Sequence, residues 1–217
     1  MKPLSECHLY TFVDTAHLNG RDPVEVARQL CAGGSDLVQL RAKGWPLEDV
    51  RRLASRLLPI TEAAGVGLVI NDHPQLAVEI GAPLCHLGQE DFFDAGHQRA
   101  LEVTGSGGRL GLGLSTHAPE QALRALLAAP AYLAVGPVYA TATKPTARAV
   151  TLEYVRWAAR HLTVPWFAIG GIALSTLPAV VDAGARRICV VSAILNAPDI
   201  ARACQEFKER LTCAPSK

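Results

Sequence analysis

The chain has 217 residues, 49% of them hydrophobic, and its 21 Lys and Arg nearly balance 20 Asp and Glu, for a formal net charge of +1. That length suits one large domain or two small ones, and barrels reach roughly 200–250 residues as one domain. Near-neutral charge without a basic block gives no support to a charge-driven nucleic-acid or membrane-surface binder, so any functional positive charge acts at a focused site.

Met1 to Cys7 is short and polar, so no N-terminal leader is expected. The longest apolar stretch, Ala125 to Ala140, is interrupted by Pro130, Gly136 and Pro137 and is too short to cross a bilayer. Six cysteines (Cys7, Cys31, Cys85, Cys189, Cys204 and Cys213) form no CxxC pair. They read as free thiols, mostly buried, of a protein in the reducing cytoplasm.

Along the chain a short apolar run is followed by a helical pattern, repeatedly. His8–Val13 reads as the first strand. Asp22-Pro23 opens a helix with apolar Val24, Val26, Ala27 and Leu30, the Asp as cap and the Pro at the first helical position, ending at Gly33-Gly34. Asp36–Arg41 is the second strand and Leu47–Ala64 a long amphipathic helix stopped by Gly65. Gly67–Ile70 is the third strand, with a short helix to Ile80, and Leu84–Leu87 the fourth. The glycine-rich Arg109–Leu114 is the fifth, followed by a helix over Pro119–Ala129. Tyr132–Val135 is the sixth, with a helix over Leu152–His161, and Pro165–Ile169 the seventh, with a helix over Leu174–Ala183. Arg187–Val191 is the eighth, and Asp199–Leu211 the last helix. Ser106-Gly107-Gly108 and Ala140–Ala149 are the best loop candidates.

Short, almost wholly apolar strands alternating with helices indicate an α/β protein with a parallel sheet covered on both faces. Eight units over residues 1–217 predict a single-domain (β/α)8 barrel. The competing open, doubly wound sheet lacks its usual GxGxxG turn after the first strand.

In such a barrel the active site lies at the carboxyl ends of the strands, so those ends are the residues to read. The second ends Gln39-Leu40-Arg41-Ala42-Lys43; alternation puts Gln39, Arg41 and Lys43 on one side, either as an anion grip or as a solvated loop. The third ends in Asn71-Asp72, and the fourth in His86 with Asp91 beyond. Asp72 and Asp91 read either as caps of the helices that follow or as oxygen ligands, which suit Mg²⁺. Glu90 reads as a helix-start residue. Ser115, after the fifth strand, is a phosphate-binding hydroxyl or a cap. Thr141, Thr143 and Lys144, after the sixth, are a second anion grip or an exposed loop. Gly170-Gly171 after the seventh and Val191-Ser192 after the eighth occupy the usual phosphate position of these barrels. Two anion grips imply a phosphate on one substrate and a pyrophosphate with Mg²⁺ on the other.

The segments QLRAK, INDHPQLA, CHLGQED, GLSTH, GPVYATATK, AIGGI and VVSAI, in this order from Leu9 to about Phe207, resemble the thiamine phosphate synthases. The resemblance implies a (β/α)8 transferase that joins hydroxymethylpyrimidine pyrophosphate to a thiazole phosphate and releases pyrophosphate, with Mg²⁺ as cofactor. By matching position, Asp72 and Asp91 would hold Mg²⁺, and Arg41, Lys43, Asn71, Ser115 and Lys144 the pyrophosphate. Of these, Arg41, Lys43, Ser115 and Lys144 would be catalytic. Gln39 and His86 would address the pyrimidine, and Thr141, Thr143, Gly171, Val191 and Ser192 the thiazole phosphate. The family's reaction is dissociative, so charge neutralisation and positioning carry it rather than a nucleophile.

This chain departs from the family pattern in three places. His73 stands where many members have arginine, Ala42 where aspartate is frequent, and Phe92–His97 in place of a Leu-Pro type of continuation. Two other functions fit the same barrel: a thiazole tautomerase-type isomerase and a non-catalytic thiazole phosphate binder. The first has no use for a metal–pyrophosphate site, and the second predicts loss of Asp72, Asp91, Arg41, Lys43 or Lys144, all of which are present. The expected partners are these small molecules, with no nucleic acid and no membrane; nothing in the sequence excludes a homo-oligomer.

Overall fold

A strand buried on both faces has no solvent side to mark with polar residues, which is why these strands read as unbroken apolar runs. The structure, a computed structural model, describes residues 1–105, 110–141 and 149–212. After a 3-10 turn at Leu4–Glu6 come β1 (Leu9–Asp14), α1 (Pro23–Ala32), β2 (Leu37–Arg41), α2 (Leu47–Ala63), β3 (Gly67–Asn71) and α3 (Pro74–Ile80). Then follow β4 (Leu84–Leu87), α4 (Gln89–Phe93), α5 (Ala100–Thr104), β5 (Gly111–Thr116), α6 (Pro119–Leu127), β6 (Tyr132–Val135) and α7 (Thr151–His161). The chain finishes with β7 (Trp166–Ile169), α8 (Leu177–Asp182), β8 (Ile188–Cys189), α9 (Ser192–Leu195) and α10 (Ile200–Thr212). Neighbouring strands pair in parallel in chain order, and β8 returns to pair with β1 through Leu9 and Tyr10. That closing pair makes the fold a (β/α)8 barrel and rules out the open sheet.

The local signals act as expected where one residue controls them. Asp22 accepts a hydrogen bond from the Glu25 backbone N–H at 3.3 Å with Pro23 at the head of α1. At the other end of α1, a Cβ on Gly33 would come within 2.5 Å of Ala201 and Cys204, so the glycine lets α10 lie against α1.

Several boundaries differ from expectation for tertiary reasons. β5 runs on through Ser115 and Thr116, because their hydroxyls are satisfied inside the fold: Thr116 donates to the Ala134 carbonyl at 3.0 Å and accepts from the Tyr154 hydroxyl at 2.8 Å. The expected start of that strand, Arg109, lies outside the described residues. α8 starts at Leu177 rather than Leu174, since the Thr176 hydroxyl bonds both the N–H and the carbonyl of Ala173 and holds a separate turn there. β8 spans only Ile188–Cys189, and α4, α5 and α9 are too short for a helical period to show in sequence.

The core has two layers. The outer one packs strands against helices. The inner one fills the barrel with Tyr10, Phe12, Leu37, Val69, Leu84, Tyr132, Phe167 and Cys189. Tyr10, Tyr132 and Phe167 meet edge to face, with centroids 5.4–5.9 Å apart. Gly113 is in register with Tyr132, and a Cβ added there would overlap the tyrosine ring. The glycines of β5 are therefore a packing device, making room in the lumen for an aromatic side chain from the next strand.

The amino-terminal end of the barrel is tied together by one buried carboxylate. Asp36 accepts from the backbone N–H groups of His8 at 2.6 Å and Leu9 at 2.9 Å, from Lys2 at 2.6 Å, and from Lys208 of α10. Burial opposes its charge, but these donors outweigh burial and hold its pKa below the usual carboxylate range. Among the described residues Cys7, Cys31, Cys85, Cys189 and Cys204 are free thiols; Cys213 lies outside them. Burial pushes Cys7 and Cys31 up to about 11 and Cys85 and Cys204 up to about 12, so none is a ready nucleophile. Among the described residues no helix is long and apolar enough to cross a membrane.

Asp36→Asn should cost about 2 kcal/mol of unfolding free energy, measured by urea titration at pH 7. The wild type should also lose this stabilisation as pH falls below about 4, because folded Asp36 binds its proton less readily than unfolded Asp36. In the variant the acid limb of stability against pH should be flatter. Gly113→Ala should cost about 2 kcal/mol, because the Tyr132 ring cannot move aside in a filled lumen.

Candidate active site

At the carboxyl ends of the strands the barrel opens into a cavity of about 1000 Å³, its mouth included, with walls contributed by every strand or the turn after it. Gln39, Arg41, Lys43, Asn71, Asp72, His86, Asp91, Ser115, Thr141, Gly171, Val191 and Ser192 all line it. Thr143 and Lys144 lie outside the described residues.

Arg41 is held from the neighbouring strand. β1 and β2 pair so that Asp14 stands beside Arg41, and their side chains meet with Nη1 3.0 Å from Oδ2. Asp14 is 1% exposed, accepts from the Ala16 backbone N–H at 3.1 Å and lies 3.4 Å from His17 Nδ1. The sequence reading took strand ends two to eight and missed this one, although an aspartate closing the apolar run HLYTFV is the same signal that marked Asp72. Arginine carries five N–H donors, and this ion pair uses one, so the guanidinium is fixed by one edge with donors to spare for a ligand.

Lys43 Nζ lies 3.4 Å from Asp72 Oδ2, with side chains 52% and 29% exposed. An ion pair this exposed contributes little to stability and leaves both charges available to a ligand. Neither aspartate is a helix cap. The cap position of α3 is His73 and that of α4 is Gly88, and neither end has a side-chain cap hydrogen bond. Asp72 adopts a left-handed backbone (φ 64°), which aspartate tolerates better than most residues, while its N–H stays bonded to the His86 carbonyl at 3.0 Å. The Asp91 carboxylate lies over Gly88, where its Oδ2 would be 2.5 Å from a Cβ, so a side chain at position 88 would push the carboxylate out of this position. Glu90 is in the first turn of α4 and exposed, as a helix-start residue should be.

Below the rim a chain of buried hydrogen bonds crosses the lumen. Gln39 Nε2 donates to the Tyr10 hydroxyl at 2.5 Å, and that hydroxyl lies 3.0 Å from the Tyr132 hydroxyl. The Tyr132 hydroxyl lies 3.0 Å from His86 Nδ1, and His86 Nε2 lies 2.9 Å from Ser115 Oγ. Burial raises both tyrosine pKa values well above the usual range, so each hydroxyl keeps its hydrogen. The sequence reading took Gln39, His86 and Ser115 one by one; the tyrosines joining them read as ordinary core residues and were missed. So was His117, which lines the cavity and whose Nδ1 contacts the Gly136 carbonyl.

The double glycine after β7 has a packing reason. Both residues have positive φ, 103° and 63°, and a Cβ on Gly171 would meet the Ala140 carbonyl and Tyr139 at 2.7 Å. The turn after β6 is bonded along it, Val138 N–H to the Ile169 carbonyl at 2.8 Å and Tyr139 N–H to the Gly170 carbonyl at 3.0 Å. Among the described residues no group of three or more His, Cys, Asp or Glu is placed to hold a metal. Asp72 and Asp91 both line this cavity, and carboxylate oxygens are donors whose chemistry fits a hard cation such as Mg²⁺, which needs only one or two of them.

Residues 9–194 match the family described as Thiamine monophosphate synthase. The chain is 50% identical over 181 residues to a thiamine-phosphate synthase of Thermus thermophilus, covering 83% of this chain and 84% of that one. It is 40% identical over 214 residues to the thiamine-phosphate synthase of Acidothermus cellulolyticus, covering 97% and 98%. Among solved structures, a thiamine phosphate pyrophosphorylase from Pyrococcus furiosus superposes with a TM-score of 0.85 at 24% identity, covering 98% of this chain and 99% of that one, a likeness of fold.

Arg41→Ala should cost about 3 kcal/mol of stability, since it leaves Asp14 charged and buried without its partner. Lys43→Ala should change stability by less than about 0.5 kcal/mol. Parallel urea titrations of the two variants check the contrast.

Proposed function

The chain belongs to the thiamine monophosphate synthase family and is a transferase, and from that premise we propose that it joins hydroxymethylpyrimidine pyrophosphate to hydroxyethylthiazole phosphate, giving thiamine phosphate and pyrophosphate. The observation that supports this most is the convergence on one cavity of cations (Arg41, Lys43), a carboxylate pair (Asp72, Asp91) and a glycine–serine rim (Gly171, Ser192). An isomerase working on one monophosphate has no use for the first two groups.

In this reading Gln39 reads the pyrimidine with the amide atoms that Tyr10 does not use, and His86, its ring nitrogens engaged by Tyr132 and Ser115, packs beside it, deep in the barrel against the apolar floor of Tyr10, Phe12 and Ile169. Arg41, Lys43, Asn71 and Ser115 surround the pyrophosphate, joined by Lys144 from the segment after β6. As the carbon–oxygen bond to pyrophosphate breaks, these donors take up charge that grows on the leaving group while the pyrimidine methylene becomes cationic. The aromatic floor excludes water from that carbon until the thiazole nitrogen captures it. Thr141, Thr143, Gly171, Val191 and Ser192 seat the thiazole phosphate and so aim the nitrogen. Asp72 and Asp91 would hold Mg²⁺, whose chemistry at this position is Lewis-acid neutralisation of pyrophosphate oxygens. The five cysteines among the described residues are all free thiols, which favours a reducing, cytoplasmic setting.

Asp72→Ala and Asp91→Ala should each lower Mg²⁺-dependent thiamine phosphate formation by at least about 100-fold, with thiazole phosphate affinity kept within about threefold by calorimetry. Wild-type turnover that survives excess chelator would remove the metal from the account.

A further inference from the structure

The hydrogen-bond chain through the lumen has two self-consistent directions, and they present different groups to the cavity. In one, Gln39 Nε2 donates to Tyr10, Tyr10 to Tyr132, and Tyr132 to His86 Nδ1. His86 then carries its proton on Nε2 and donates to Ser115 Oγ, which leaves the Ser115 hydrogen for the cavity. In the other, which needs the Gln39 amide turned over from its orientation in the structure, His86 Nδ1–H donates to Tyr132, Tyr132 to Tyr10 and Tyr10 to the Gln39 carbonyl oxygen. Ser115 is then spent as a donor to Nε2 and shows the cavity only lone pairs. An anion against Ser115 selects the first direction, because only that one gives it a donor.

Tyr132 is the hinge of this choice. It is 0% exposed, and it is not among the residues that line the cavity, although Tyr10, Gln39, His86 and Ser115 are. It therefore does not reach a ligand itself. A phenylalanine would fill the same space, as Phe167 does beside it, so packing does not account for the hydroxyl. The ring is nevertheless accommodated at the expense of every side-chain atom at Gly113.

Taking the proposed reaction as given, we infer that Tyr132 is a positioning residue: by donating to His86 it fixes the Nε2–H tautomer and turns the Ser115 hydroxyl toward the departing pyrophosphate. Through Tyr10 the same orientation is tied to the Gln39 amide, so the group that reads the pyrimidine and the group that receives the leaving anion share one direction.

Two measurements test this, and the first does not depend on the reaction. Nitrogen-15 spectra of the full chain with inorganic pyrophosphate and Mg²⁺, with His86 assigned against His86→Gln, should show Nε2 protonated and Nδ1 accepting a hydrogen bond. A His86 protonated on Nδ1 overturns the inference. The second is a double-mutant cycle on turnover. Tyr132→Phe should lower kcat about tenfold, with KM for the thiazole phosphate within about twofold. In the Ser115→Ala background it should cost nothing more. Multiplying losses would mean that Tyr132 acts independently of Ser115 and would overturn the inference. A wild type inactive with both substrates would instead overturn the proposed reaction, leaving the spectroscopic result to decide the role of Tyr132.

Discussion

A strand covered on both faces leaves its polar side chains two places to go: the rim where the strand ends, or the lumen in the company of a partner. Everything chemical about this protein follows from that constraint. The rim carries Arg41, Asn71, Asp72 and, just beyond, Lys43 and Asp91, with Asp14 buried behind Arg41. The lumen carries Gln39, Tyr10, Tyr132, His86 and Ser115, linked by hydrogen bonds from one side of the barrel to the other. The rim is where charges can meet water and ligand. The lumen is where a single direction of hydrogen bonding can be maintained, because these side chains are buried and bonded to one another.

The two ends of the barrel use carboxylates in opposite ways. Asp36, at the amino-terminal end, is surrounded by donors from the N-terminal segment, β1 and α10, and it is spent on closing the fold. Asp72, at the carboxyl end, has one loose ion pair with an exposed lysine and a strained backbone. Stability is invested at one end and reactivity kept at the other, as expected of barrels whose chemistry sits on the strand-to-helix turns. Arg41 belongs to both regimes, being anchored by buried Asp14 and still facing the cavity.

The fold was legible because closure requires eight apolar runs of similar length with helices between them, and that pattern survives errors of a residue or two at each boundary. The rim was legible because a charged residue straight after an apolar run stands out. What was not legible depended on contacts between distant strands. Asp14 is separated by 27 positions from the arginine it anchors. Tyr132 looks like any core tyrosine until Gly113 is seen to be its counterpart across the sheet. The choice between cap and ligand for Asp72 and Asp91 could not be made from sequence, since either role puts an aspartate at a strand-to-helix turn. The observed caps, His73 and Gly88, decide against the first role, and the cavity that Asp72 and Asp91 share gives the second its support.

In the proposed reaction one cavity brings a pyrimidine pyrophosphate and a thiazole phosphate together and lets the pyrophosphate leave. Mixing the purified chain with both substrates and Mg²⁺, and quantifying both products over a time course, tests it most directly. Pyrophosphate and thiamine phosphate should appear one for one, with thiamine phosphate absent when either substrate is omitted. A chain that binds the thiazole phosphate but forms no thiamine phosphate from the pair would contradict it.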